Sequence, residues 1–388
     1  MRHGSSLEDL RRANRASIID TLATSGALSR ADLARMTGVS RATVSSLVHD
    51  MIRDGVVVAE PERGTPHKGG SGRPPVLLRL ARTPGVVLGV DLGHRHIRVA
   101  VAERTSHVRA ERFADFDVDH DARGALDTAA RLARDALAEA GQTIDDLVGV
   151  GLGVPGPVDW RSGTITSAVL PGWRGLSPGA ELERRIGHPV SVDNDAYAGA
   201  LGELTHGAAR GVDDVIYVKV AGGVGAGLVL GGKLHRGTSG IAGEIGHVRV
   251  HPDGPVCRCG SRGCLETQVS APKLIELLQP AHEETLTVPR VLELGRDGDA
   301  GANRVLDDAG RTIGRVLADL CNSLNPAAVV VGGEVGSSAA LVRGIRDSVD
   351  RYAQPDAAAA LRVATGELGD RAELMGALAL ALRVGAAV

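Results

Sequence analysis

Residues 243–266 read GEIGHVRVHPDGPVCRCGSRGCLE. Three of the chain's four cysteines, Cys257, Cys259 and Cys264, fall within eight residues, and His247 stands ten residues ahead of the first. Three thiolates and an imidazole suit four-coordinate zinc, and a full set of four leaves no position for a reactive water. The pattern therefore predicts a structural ion. Gly254, Gly260 and Gly263 let the backbone fold tightly around it. Redox-active or merely buried thiols are the competing readings. Cys321, alone in a helical pattern, reads as a small core residue. Glu244 lies three residues before His247, and Glu266 two after Cys264. A metal that fixes the loop also fixes these carboxylates and the imidazole, a set able to bind a polyol by charge-assisted hydrogen bonds. Without the metal they read as solvated surface glutamates.

Working outward, VVLGVDLGHRHIRVAVAE (86–103) reads as strand, turn at Gly93, strand. The hairpin resembles the first phosphate loop of the actin-like sugar kinases, usually Asp-x-Gly-Gly-Thr. Here Asp91 and Gly93 remain, His94 crowds a close backbone approach to phosphate, and Arg95 removes the hydroxyl. VIYVKVAGGVGAGLVLGGKLHRG (215–237) resembles the second phosphate loop, Gly-Thr-Gly-x-Gly, with Ala221 and Gly222 in its first two positions. Tight turns without a ligand are the plain reading of both. AAVVVGGEVG (327–336) resembles the strand and turn beneath adenine, and an apolar helix ends the sequence. Between the loops, 145–165 gives a strand and a Gly/Pro turn that includes Gly156. In 188–203 a strand leads to Asn194 and Asp195 at a helix start. A carboxylate there can hold a sugar hydroxyl or take its proton; a simple N-cap explains the pair equally well.

Composition bounds the reading. The 388 residues are 43% hydrophobic and 23% charged, as expected of a soluble chain with two or three domains. No run suits a membrane span, the polar start is unlike a signal peptide, and the few cysteines fit a reducing cytoplasm. The first 82 residues carry a formal charge of +5 and the remainder −8, which points the head at a polyanion.

LSRADLARMTGVSRATVSSLVHDMIRDGVV (28–57) has helix-turn-helix spacing: Ser29 caps a short helix with Asp32 as acidic partner, Gly38 turns, and Ser40 caps the next. In the second helix Val44, Leu47, Val48, Met51 and Ile52 form an apolar stripe, leaving Arg41, Ala42, Thr43, Ser45, Ser46 and His49 outward. With Ser40, these are candidate major-groove contacts on duplex DNA. An earlier helix, about 7–24, adds Leu10, Ile18 and Leu22 to the same core. Two apolar runs around PERGTPHKGGSGRPP (61–75) read as a hairpin wing, whose Gly72-Arg73-Pro74 suits a narrow minor groove. A small interaction domain with solvated charges is the alternative.

Taken whole, the chain resembles the ROK family of bacterial sugar-responsive repressors and sugar kinases. Gly243-Glu244-x-Gly246-His247 and Cys-x-Cys-Gly-x-x-Gly-Cys-x-Glu carry the resemblance most specifically. It implies a winged helix-turn-helix at 1–82 and a two-lobed α/β, ribonuclease H-like kinase domain at 83–388. The lobes are expected at 83–195 with helix 370–388, and at 196–369. It implies sugar contacts at Gly156, Asn194, Asp195, Glu244, His247 and Glu266, with Asp195 at the kinases' catalytic-base position. Zinc would be held by His247, Cys257, Cys259 and Cys264, the histidine using one ring nitrogen for the metal and the other for the sugar. The winged head matches the repressor branch. With both phosphate loops altered, the expected protein is a cytoplasmic, homodimeric or homotetrameric regulator. Its ligands would be operator DNA and a sugar or sugar phosphate. An ATP-dependent sugar kinase with a DNA-binding head is the alternative; control by a protein partner is a third reading, for which the sequence offers no motif.

Overall fold

The computed structural model describes residues 11, 14–15, 17–19, 21–22, 25–53, 56–61, 76–80, 85–165 and 169–385. In the head, helices Arg30–Thr37 and Arg41–Arg53 pack beside a three-stranded sheet of β1 (Leu28–Ser29), β3 (Val76–Leu80) and β2 (Val57–Pro61), in that order. Both caps form as their residue types dictate. Ser29 Oγ accepts the Asp32 N–H and donates to its carboxylate, and Ser40 Oγ accepts the Thr43 N–H at 3.2 Å. Gly38, at φ 69°, ends the first helix in the left-handed region. Ile18, Leu22, Leu33, Val44, Leu47, Val48 and Met51 form the head's core. Ile52 departs from the expected stripe and is 36% exposed. Eight residues beyond Val44 it has rotated about 80° past two full turns, off the buried face. Leu10, the wing tip and Arg73 lie outside the described residues.

The body repeats one topology twice. The first sheet has the order β10-β7-β4-β5-β6, made of Val190–Asn194, Leu147–Val154, Val86–Leu92, His96–Glu103 and Val108–Asp115. The second has the order β15-β14-β11-β12-β13, made of Arg362–Thr365, Ala328–Gly332, Val215–Val220, Val224–Leu230 and Lys233–Leu234. In each, the central strand is antiparallel to the hairpin partner that follows it and parallel to a strand reached by a helical crossover. The central strands are buried along their whole length, as expected where both faces are covered. Each half has its own apolar core. Helix Ala372–Gly385 packs on β4 and β7 and along helix Asp195–His206. The contact is close enough that a Cβ on Gly376 would stand 1.7 Å from the Ala198 carbonyl oxygen. Among the described residues no helix is long and apolar enough to cross a membrane.

Candidate functional site

Because each half begins with a hairpin, the two glycine turns, 93–95 and 221–223, meet at one cleft. The start of helix Asp195–His206 and the loop 243–266 complete its walls. All six residues expected to hold a sugar, Gly156, Asn194, Asp195, Glu244, His247 and Glu266, line this cleft. His94 and Lys219 line it too.

Asn194 is the N-cap: its Oδ1 accepts the Ala196 N–H at 2.9 Å and the Tyr197 N–H at 3.3 Å, so the plain capping role is real. Its amide nitrogen takes no part in that cap. Asp195 Oδ1 accepts the Ala196 N–H at 2.7 Å, while Oδ2 is 2.8 Å from Lys219 Nζ. Lys219 also stands 3.7 Å from Glu373, whose carboxylate accepts the Tyr217 hydroxyl at 3.0 Å. Burial would lower the lysine's pKa, but Asp195, Glu373 and Asp91 hold it well above the ordinary value. Glu244 is pushed up to about 7 by burial, with Asp195 and Glu266 adding repulsion. Glu266 accepts the Val224 N–H at 3.2 Å.

The loop turns on Gly260 (φ 88°) and Gly263 (φ 67°), whereas Gly254 serves by close approach: a Cβ there would be 2.7 Å from Gly263 Cα. All four cysteines are free thiols, and Cys321 is buried in helix Ala300–Leu324, as a core residue should be. The donor atoms of His247, Cys257, Cys259 and Cys264 all lie within 4.8 Å of one another. Cys259 and Cys264 sulfurs are 3.7 Å apart, and Cys257 Sγ is 3.6 Å from His247 Nδ1. Two thiolates on a tetrahedral zinc stand about 3.8 Å apart, so the set fits that ion. Burial pushes the Cys257 thiol up to about 12, and a bound cation is what such a group needs to serve as a thiolate. His247 Nε2 faces the other way, 3.5 Å from Glu244, so its two nitrogens face the sulfur cluster and the cleft.

The histidines of the first hairpin take positions that the sequence did not reveal. A Cβ on Gly93 would be 2.2 Å from His96 Cε1, and one on Gly223 would be 2.9 Å from His94 Nε2. His96 therefore covers the first glycine turn and His94 the second. His96 Nε2 is 3.1 Å from Asp91, and His94 Nδ1 is 2.6 Å from Asp119. Sequence reasoning also missed Lys219 and Arg258. For Lys219 a signal existed: it is one of four lysines and lies in an otherwise apolar strand pattern. Arg258 carries no local signal.

In the head, Ser40, Arg41, Ala42, Ser45, Ser46 and His49 are exposed on the second helix. Thr43 is half-buried, with its hydroxyl 2.8 Å from that of Ser40.

Comparison with known proteins places these observations. The MarR family model matches residues 9–65, and the ROK family model matches residues 87–384. The xylose repressor of Caldicellulosiruptor bescii is 28% identical over 387 residues, covering 96% of each chain. Among solved structures, a ROK family transcriptional regulator described as a homolog of E. coli Mlc aligns with TM-score 0.79 at 24% identity, over 97% of this chain and 98% of that one. A ROK family glucokinase from Streptomyces griseus, in complex with glucose and AMPPNP, aligns with TM-score 0.68 at 33% identity. It covers 76% of this chain and 99% of that one.

Proposed function

The chain belongs to the ROK family and carries a MarR-like helix-turn-helix head; from that premise we propose that it is a sugar-responsive transcriptional repressor, with a structural zinc and without kinase activity. The observation that carries this reading is that the polyol-binding groups stand together while the chain's own histidines cover both glycine turns. Phosphoryl transfer depends on positioned phosphate contacts. The cations lining the neighbouring cavity are each committed to an acid: His96 to Asp91, Arg95 to Asp117, Arg98 to Asp370 and Lys219 to Asp195. A triphosphate would have to compete with those acids.

His247, Cys257, Cys259 and Cys264 would hold the zinc, which supplies the loop with a fixed shape. Glu244, Glu266, Asp195 and Asn194 then offer a sugar several acceptors and an amide. The exposed N-terminal face of helix Arg41–Arg53 suits the major groove, and a homodimer would match two half-sites of a palindromic operator. A sugar that favours one lobe closure must alter operator affinity, and the operator must alter sugar affinity by the same factor.

The test begins with DNA that the protein itself selects from random duplexes. Anisotropy titrations with neutral sugars and sugar phosphates are expected to reveal at least one compound that shifts operator affinity by ~5–150-fold. In Glu244→Ala that shift is expected to vanish with zinc content retained. If no compound moves the affinity, the sensor reading fails.

The kinase alternative makes a separate demand. With ATP and the same sugars, a coupled assay is expected to record no sugar-dependent ADP release. Turnover that requires Asp195 would restore the kinase reading.

A further inference from the structure

Arg258 lies between two cysteines of the zinc set, yet its side chain is engaged elsewhere. Its Nη1 is 3.2 Å from Asp119 Oδ2, and its Nε is 3.2 Å from Glu266 Oε1. Asp119 follows β6 of the first sheet, while Glu266 opens a short helix packed in the core of the second half. One guanidinium therefore bridges the two halves beside the cleft, next to its lining residues His94 and Glu266. Both acids are held from behind: Asp119 by His94 Nδ1 at 2.6 Å, and Glu266 Oε2 by the Val224 N–H at 3.2 Å. The acids are also mostly buried, Asp119 at 17% and Glu266 at 11% side-chain exposure. This separates the bridge from an ordinary surface ion pair, which contributes little.

We propose that Arg258 is the latch of the ligand cleft: it ties the lobes together beside it, holds Glu266 in its ligand-facing position, and is aimed by the metal loop. The inference rests on the sugar-sensor reading and adds a positioning residue to it. Its neighbours on both sides are donors to one ion, so its Cα has little freedom and only side-chain entropy opposes the bridge. Opening the cleft must break the contact with Asp119, whereas the contact with Glu266 lies within one half and can persist. The cleft thus has two discrete arrangements that a ligand touching both halves can bias. The zinc loop gains a second duty beyond scaffolding, because losing the metal would let Arg258 wander.

The experiment is a double-mutant cycle on the full zinc-loaded chain with Arg258→Met, Asp119→Asn and both. Hydrogen exchange without ligand reads the latch directly, at residues 116–122 on one side of the cleft and 220–226 on the other. Sugar affinity is read for whichever compound stabilises the parent in a thermal screen. Each single variant is expected to speed exchange on both sides and to raise the sugar Kd about tenfold, with the double variant losing clearly less than the sum of the two singles. Zinc should stay at the parent's content, since Arg258 offers no metal ligand. Should Arg258→Met lose zinc, Asp119→Asn, which alters neither a metal donor nor a chain neighbour of one, decides alone. Additive losses, or exchange and affinity equal to the parent's, overturn the latch. Faster exchange in a chain whose parent binds no sugar would leave the latch standing and remove the sensor reading.

Discussion

Cys257→Ser, or exhaustive chelation of the parent chain, is expected to release the metal and to destabilise the second half by about 3–5 kcal/mol. Apart from the metal, the loop is held by backbone hydrogen bonds within itself, such as the Cys257 N–H to the Ser261 carbonyl at 2.8 Å and the Gly263 N–H to the Pro255 carbonyl at 2.9 Å. Between Val248 and Leu265 it contains no named helix or strand, only two isolated bridges, Arg249 with Cys264 and Val256 with Arg262. Val248 and Val256 look outward, at 43% and 67% exposure, and Val250 alone of its valines packs against the core. Serine keeps the volume and removes the soft donor, so the remaining three ligands would leave an open, weaker site. Structural zinc in small fingers contributes far more, about 10–16 kcal/mol. Here the core around Ile216, Leu265, Ile313 and Val331 is built from apolar contacts that need no ion, which limits the expected loss. A thermal scan with metal quantification checks it. The first transition should move down while the head, with its separate core, melts where it did. A metal-free variant that melts with the parent would return the cysteines to the reading of plain burial.

The residues that were legible owe it to spacing along the chain. Ser29, Gly38 and Ser40 act within three residues of themselves, so the head's caps and turn could be read directly. The four candidate zinc donors fall inside 18 positions, and their geometry agrees with the donor chemistry. Gly156, Asn194 and Glu244 lie far apart, and only the family motif places them in one cleft; periodicity could not have done so. What remained hidden are pairings across the fold. Arg258 meets Asp119 over 139 positions, Lys219 meets Asp195 over 24, and His94 meets Asp119 over 25. No local pattern specifies which acid a buried cation will find. The covering of Gly93 by His96 was hidden for another reason. The substitution of His94 drew attention as the crowding residue, but His94 turns toward the second glycine turn and leaves the first to its neighbour two positions on.

Lys219→Met is expected to destabilise the chain by about 3–5 kcal/mol at neutral pH, because it removes one member of a buried charge cluster and little volume. Lys219 is 8% exposed in a strand covered on both faces, between Asp195 at 2.8 Å and Glu373 at 3.7 Å. Methionine would pack in the same space and leave the carboxylates without their cation. The pH dependence separates charge from packing. Burial raises the pKa of Glu373 to about 7 even though Lys219 opposes the rise, so without the lysine it should climb further. A carboxyl whose folded pKa lies above its unfolded value costs nothing while protonated in both states and costs more as pH rises. The stability gap between parent and variant should therefore be widest near pH 8 and shrink toward pH 5, as Glu373 takes up a proton. Denaturant titrations across that range measure it. A gap that stays constant with pH would assign the loss to packing and remove Lys219 from the electrostatics of the site. A gap that closes would mean that the cation's task is to offset the cost of an ionised Glu373 in the buried cluster that it shares with Asp195.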